Sequence, residues 1–202
     1  MEEIDPRRYR AMELVLQGRY EEAEILFREA LNDDPQNVDL IRDLGLVYQN
    51  LNQLEKGEET YRHAMEIEPN DQQTLKRLAA VLSQQRKFEE AVGIYRRALE
   101  IDRENSYTWL DLGYCYYEQG QYDAAEGAYL EAKQLDSGDI NTYYYLAETY
   151  LKLDRLKEGE IAIRKVLEDE PEYLAGWKLL GDILEKQGRT QEATSAFQKA
   201  NE

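Results

Sequence analysis

The sequence has little of what metal or covalent chemistry requires. Its 202 residues include one cysteine and one histidine. This excludes an intrachain disulfide and a zinc site of ordinary composition within one chain. Cys115 falls in a column of apolar residues and His63 beside an arginine on a second helix, so neither is placed to act as a nucleophile or base. We predict no catalytic residue, no metal site and no cofactor, and therefore no enzyme.

Basic charge and long apolar runs are also scarce. Lysine and arginine number 25 against 42 aspartates and glutamates, which gives a formal net charge of −17. Such a chain repels nucleic-acid phosphates and anionic membrane surfaces. No run of eighteen apolar residues could span a bilayer, and the first twenty residues lack the apolar core of a signal peptide. We predict no nucleic-acid partner, no membrane insertion and a cytoplasmic location.

What the sequence does contain is one pattern that recurs every 34 residues. RYEEAEILFREALNDDP, KFEEAVGIYRRALEIDR and QYDAAEGAYLEAKQLDS align without a gap. Such self-similarity indicates a repeat architecture in which each unit buries its apolar face against its neighbours. We predict a single domain over 1–202 made of six repeats, the last incomplete. The repeats run 4–37, 38–71, 72–105, 106–139, 140–173 and 174–202.

Within each repeat the columns predict two helices. Positions eight and twenty hold only alanine or glycine, as two closely approaching backbones require. Large apolar residues at positions four, seven and eleven form a helical stripe with position eight, and positions twenty, twenty-four and twenty-seven form a second stripe. Position fifteen, between them, holds residues that tolerate a left-handed backbone, with Arg86 as the misfit. The first helix should therefore end there.

The pattern W-x2-L-G-x2-Y, then A-x3-F, then A and P resembles the tetratricopeptide repeat, from Ile4 to Glu202. The resemblance implies an all-α, right-handed superhelical solenoid of antiparallel helix pairs. It also implies a concave groove, lined by the first helices, that binds a protein or peptide. The match is carried by Trp109, Leu112, Gly113, Tyr116, Ala125, Tyr129 and Ala132.

Most of the sixteen tyrosines fall in packing columns, including Tyr143 and Tyr150. Others lie at positions two, five, six, nine or twelve of a first helix, roughly opposite the packing stripe. We predict that those of repeats four and five anchor a partner, because tyrosine is enriched at binding hot spots. The alternative is that the rings pack on one another and fill a narrow groove. The predicted anchoring surface comprises Tyr107, Asp111, Tyr114, Tyr117, Tyr144 and Tyr145.

The groove positions of the earlier repeats carry basic residues, of which Arg42, Lys76 and Arg77 are predicted as a polar adjunct. A ligand that meets both surfaces would be an extended peptide or partner helix with acidic and apolar portions. The alternative is an ordinary solvated helix face whose charges pair one turn apart.

The carboxylate clamp that some members of the family use for chaperone C-termini is not matched. In the first frame its two asparagine positions hold Met12 and Asp43, so we predict no such binding. The predicted function is a non-catalytic protein–protein interaction scaffold. Two alternatives remain open, namely self-association through uncapped terminal repeats and a targeting domain of a larger enzyme.

Overall fold

The computed structural model describes residues 5–201, and over that range the chain is all helical. Its contacts form two compact units divided between Arg103 and Glu104. The first unit contains α1 (Pro6–Leu16), α2 (Tyr20–Asp33), α3 (Val38–Asn50), α4 (Leu54–Ile67), α5 (Gln72–Gln84) and α6 (Phe88–Ile101). The second contains α7 (Ser106–Glu118), α8 (Tyr122–Leu135), α9 (Ile140–Lys152), α10 (Leu156–Asp169), α11 (Leu174–Lys186) and α12 (Thr190–Lys199). These twelve helices confirm the predicted pair of helices per repeat.

Within each unit, consecutive helices pack as antiparallel pairs and the pairs stack. In the first unit α2 packs on α3 and α4 on α5, and in the second unit α8 packs on α9 and α10 on α11. The odd-numbered helices also contact one another within a unit, α1 with α3 and α5 with α3, α7 with α9 and α11 with α9. The odd-numbered helices of a unit therefore share one surface, which we name its first-helix face.

The small residues predicted at position eight lie where an aromatic ring crosses the helix. A Cβ added to Gly113 would lie 2.5 Å from Cε1 of Tyr129, and one added to Gly45 would lie 2.5 Å from Cε1 of Tyr61. Alanine at this position, as at Ala79, is fully buried. The column is small because the second helix of each pair packs a large side chain directly on the first.

Every residue at position fifteen has a left-handed backbone, including the misfit. Arg86 has φ 62°, close to 55° at Asn52 and 59° at Asp154. A residue with a Cβ is disfavoured there by roughly 1–2 kcal/mol. The helix-to-helix turn therefore imposes its geometry on Arg86, whose guanidinium lies over the Phe88 ring with 5.3 Å between its carbon and the ring centroid.

Side-chain caps begin the first helices, with one exception. Asn37, Asp71, Asn105 and Asp139, at position thirty-four, each accept a hydrogen bond from a backbone N–H of the following helix's first turn. Tyr173 occupies the same position before α11, which has no side-chain cap. Loss of such a cap costs about 1 kcal/mol. The exception matters because Tyr173 lies in the candidate site.

The predicted core is confirmed for most packing positions. Cys115 is fully buried, as its apolar column predicts, and His63 is exposed on α4. Tyr143 is only half-buried, with its hydroxyl donating to the Ser137 carbonyl oxygen at 3.2 Å. The buried tyrosines of the packing columns are Tyr48, Tyr61, Tyr95, Tyr116, Tyr129 and Tyr150.

Candidate functional site: a tyrosine patch on the second unit

Four tyrosine rings form a continuous surface on α7, α9 and the start of α11. The ring centroids of Tyr114 and Tyr145 are 6.1 Å apart, those of Tyr145 and Tyr144 are 5.7 Å apart, and those of Tyr144 and Tyr173 are 5.5 Å apart. All three contacts are edge-to-face, the arrangement that aromatic quadrupoles favour. We refer to Tyr114, Tyr144, Tyr145 and Tyr173 as the tyrosine patch.

The other predicted anchors lie on α7, the helix that also carries Tyr114 of the patch. Tyr107, 68% exposed, extends from the first turn of α7. Asp111 is exposed one turn later, and its charge reaches Tyr145. The Tyr117 ring packs against Tyr122, with centroids 5.4 Å apart. Of the three predicted α7 tyrosines, the structure therefore brings Tyr114 into the patch, while Tyr107 and Tyr117 lie on the same helix outside its ring contacts.

Tyr145 connects the patch to the core. Its ring stacks on the buried Tyr129 ring with centroids 5.6 Å apart and planes inclined by 11°. Tyr144 and Tyr145 therefore differ in role although they are adjacent in sequence. Tyr144 reaches along the first-helix face, whereas Tyr145 covers the core.

The hydroxyl of Tyr129 is buried, and it has no hydrogen-bond partner among the described residues. In the first unit the equivalent Tyr61 donates to Oε1 of Gln49 at 2.7 Å. The position of Gln49 is held in the second unit by Tyr117. An unsatisfied buried hydroxyl costs about 1–3 kcal/mol, so the tyrosine in the glutamine's place leaves a local destabilisation.

Glu148 is the carboxylate of this surface. It accepts a hydrogen bond from the Tyr144 hydroxyl at 3.3 Å and forms no ion pair with any residue between Asp5 and Asn201. Desolvation raises its pKa, against the opposing charge of Lys152 one turn later. Half-buried acids on the second helices are paired instead. Glu160, for example, lies 2.6 Å from Arg189 and 2.8 Å from Arg164.

Three phenols of the site have a raised pKa and are neutral at physiological pH, namely those of Tyr117, Tyr144 and Tyr145. Burial, reinforced by the charge of Glu148, raises the pKa of Tyr117 to about 12. The same two causes raise the pKa of Tyr144 and of Tyr145. The patch thus offers ring faces and, at Tyr144 and Tyr145, neutral hydroxyls beside the half-buried carboxylate of Glu148.

The predicted basic adjunct lies in the first unit, and part of it is already paired. Arg42 is bonded to Asp39 and lies 2.8 Å from a carboxylate oxygen of Asp71. Lys76 is half-buried and Arg77 exposed on α5. At Arg42 the geometry is that of a helix face whose charges are matched within the chain.

Tyr173 is the patch residue that sequence reasoning missed, since it lies in an inter-repeat turn. One signal could have found it. Column thirty-four reads Asn37, Asp71, Asn105 and Asp139 before it, so a tyrosine there replaces a capping residue. The structure adds that positions five and thirty-four of one repeat meet in space. Arg42 meets Asp71, and Tyr144 meets Tyr173.

The unpaired carboxylate gives a prediction for stability. The folded pKa of Glu148 is raised, so the folded state binds its proton more tightly, and stability falls as pH rises from the unfolded pKa through the folded one. Glu148→Gln should therefore be more stable than the wild type by roughly 1 kcal/mol at pH 7. The difference should shrink toward pH 4. Urea unfolding followed by circular dichroism at both pH values measures it.

Glu160→Gln is the control of opposite sign. Desolvation acts to raise the pKa of Glu160, but hydrogen bonds from Arg164 and Arg189 outweigh it and the pKa is lowered. That variant should lose stability at pH 7. A Glu148→Gln variant that loses stability as well would mean that the Glu148 carboxylate is paired in solution.

Between Asp5 and Asn201 no group of three or more histidine, cysteine or acidic side chains is arranged to hold a metal ion. In that range no helix combines the length and the apolar character that crossing a bilayer requires.

Three family models match the chain. Two are described as tetratricopeptide repeat and match residues 14–82 and 144–201. The third is described as anaphase-promoting complex, cyclosome, subunit 3 and matches residues 84–166. A search of curated protein sequences found no match.

Solved structures share the fold at low sequence identity. PilW, a type IV pilus biogenesis factor, is 22% identical with a TM-score of 0.85, covering 94% of this chain and 88% of that chain. MamA from Desulfovibrio magneticus RS-1 is 19% identical with a TM-score of 0.78, covering 83% and 94%. YrrB, described as having an unusual peptide-binding site, is 18% identical with a TM-score of 0.74, covering 86% and 90%.

The chain is an all-helical repeat protein of the solenoid class. This is defined by its helix pairs, by their stacking and by the aromatic rings that pack on small residues of the paired helix. The chain belongs to the tetratricopeptide-repeat family. A protein-interaction scaffold, typically non-catalytic, is the function that this family supports in general.

Proposed function

We propose that the chain is a non-catalytic scaffold that binds a segment of a partner protein, an extended peptide or a helix, on the first-helix face of its second unit. The tyrosine patch is the anchor. Tyr107, Asp111 and Tyr117 border the bound segment. Lys76 and Arg77 remain proposed contacts on a separate polar surface of the first unit. Arg42 would contact a ligand there only by giving up its ion pairs with Asp39 and Asp71.

The observation that carries this proposal is that three locally destabilising features lie around one surface. Tyr173 replaces a helix-capping residue, and among residues 5–201 the Tyr129 hydroxyl has no hydrogen-bond partner and Glu148 forms no ion pair. Each lowers stability by about 1 kcal/mol or more. Natural sequences break local rules mainly at functional sites, and these three breaks surround one surface.

The chemistry of the patch suits a protein ligand. Tyrosine combines a large rigid ring with a hydrogen-bonding tip, so that little side-chain entropy is lost on binding. Tyr144, Tyr145 and Tyr114 are half-buried, which leaves ring area available to a partner. Because the rings already brace one another, the surface is preorganised and binding does not have to order it.

Site-specific photo-cross-linking tests the proposal. A benzophenone amino acid is placed at Tyr107, on α7 with the patch residue Tyr114, or at Ile161, 72% exposed on α10 of the same unit. Both proteins are irradiated in lysate of the source cells, and mass spectrometry identifies the products. We expect a partner protein cross-linked at position 107 and absent at position 161.

Two results would count against the proposal. Products at position 161 alone would place the interaction on the second helices. Products at position 107 that consist only of a second copy of this chain would favour the self-associating scaffold. Light scattering across concentrations then measures that association.

A further inference from the structure

The half-buried carboxylates of the two units differ in whether they are ion-paired. On the first-helix face of the first unit, Asp43 lies 2.7 Å from the Arg8 guanidinium, and Asp71 lies 2.8 Å from that of Arg42. On the same face of the second unit, Glu148 accepts a hydrogen bond from Tyr144 and forms no ion pair within residues 5–201. Asp43 and Asp71 are thus ion-paired within the first unit, whereas Glu148 forms no ion pair with any described residue.

Asp182 is a second carboxylate of this kind, one repeat after Glu148. It holds in α11 the position that Glu148 holds in α9 and forms no ion pair over 5–201. Desolvation raises its pKa despite Lys178 one turn earlier. Two neighbouring repeats therefore present half-buried carboxylates that form no ion pair with any described residue, although a lysine lies one helical turn away from each.

The buried hydroxyl of Tyr129, which has no hydrogen-bond partner among the described residues, is an independent observation at this site. Tyr129 is fully buried and its ring stacks on Tyr145 of the patch. In the first unit the equivalent hydroxyl, that of Tyr61, bonds to Gln49, and the position of Gln49 is held here by Tyr117. The hydroxyl oxygen of Tyr129 can accept a hydrogen bond from an N–H donor.

We propose that the tyrosine patch receives a positively charged side chain, an arginine or a lysine of a basic partner segment, which pairs with Glu148 and lies against the tyrosine rings. This inference rests on the proposed function and names the chemistry of its ligand. It replaces the acidic peptide that the basic residues of the first unit suggest.

Three physical effects favour this occupant. A cation over tyrosine rings gains electrostatic attraction from the ring quadrupole, and more when water is excluded. A guanidinium next to Glu148 would neutralise its charge. Because folding has already removed part of the water around this carboxylate, the further desolvation penalty on binding is small. The net charge of −17 steers a basic segment toward the protein and repels an acidic one.

Selection from a random peptide library displayed on phage gives the first test. The library is panned on the wild type, on Glu148→Gln and on Tyr114→Ala/Tyr144→Ala. Glu168→Gln, an exposed acid on α10, is the control. We expect arginine and lysine to be enriched in peptides selected on the wild type and on the control, and this enrichment to disappear on Glu148→Gln.

A neutral isostere then isolates the charge. One selected peptide is synthesised in two forms. The first carries arginine at the selected basic position, replacing lysine where lysine was selected. The second carries citrulline there, which keeps the shape of arginine and loses its charge. We expect citrulline to weaken binding to the wild type at least tenfold and binding to Glu148→Gln less than twofold, measured by fluorescence anisotropy.

The outcomes separate the two proposals. Peptides that the double ring variant no longer binds, but that carry no excess of arginine or lysine, would overturn the charged ligand and leave the patch as the site. Equal citrulline losses on the wild type and on Glu148→Gln would do the same. A selection that yields nothing, or that the double ring variant leaves unchanged, would overturn both.

Discussion

Replacing Gly113 with alanine is expected to lower the free energy of unfolding by about 1–3 kcal/mol. The new Cβ would lie 2.5 Å from Cε1 and 2.6 Å from Cδ1 of Tyr129, closer than carbon atoms can approach. The ring is poorly able to withdraw, because it is fully buried and stacked on Tyr145. Urea unfolding monitored by far-ultraviolet circular dichroism measures the loss.

Gly127→Ala in α8 is the matched control. A Cβ at Gly127 meets no atom within 4 Å, so the substitution only removes the flexibility of glycine from a helix. We expect it to raise the free energy of unfolding by about 0.5–1 kcal/mol. If Gly113→Ala gained stability to the same extent, the close approach of Tyr129 would not be what keeps this column small.

The fold could be predicted in detail because the 34-residue period places each residue in a defined environment. Small residues at position eight predict a close approach, and the ring of Tyr129 over Gly113 is that approach. Arg86 is instructive because its side chain argues against a left-handed turn. Its φ of 62° arises because closing the helix pair outweighs one residue's preference.

The candidate site was less predictable because side-chain reach is not contained in helical position. The helical wheel separates Tyr144 and Tyr145 from Tyr143, but it cannot tell that Tyr145 stacks on the core ring of Tyr129. Nor can it tell that Arg42 meets Asp71 across an inter-repeat turn. Both contacts depend on where the neighbouring elements lie, which only the packed structure specifies.

The stack on Tyr129 also decides which rings to remove. Tyr145→Ala would expose the buried Tyr129 ring, so we expect it to lower stability as well as binding. Tyr114 and Tyr144 lack that contact with the core ring among the described ring pairs. Their removal is the cleaner test of an anchor.

Replacing Tyr114 and Tyr144 together with alanine is expected to weaken binding of a peptide selected on the wild type by about 100-fold. Central aromatic anchors each contribute about 2 kcal/mol or more when truncated, and neighbouring anchors are not additive. A combined loss near 2.7 kcal/mol, about 100-fold, is therefore a moderate expectation. The half-buried rings should cost the fold far less than a core ring would.

Isothermal titration calorimetry of that peptide against the wild type, Tyr114→Ala/Tyr144→Ala and Tyr143→Ala tests the central claim most directly. Tyr143 is the adjacent tyrosine of α9, half-buried against Lys133, whose Nζ is 4.9 Å from its ring centroid. The account predicts the 100-fold loss for the double variant and less than a threefold change for Tyr143→Ala, with all three proteins folded by circular dichroism. Equal affinities for the wild type and a folded double variant would contradict it, because the rings would then be part of the architecture and not the anchor.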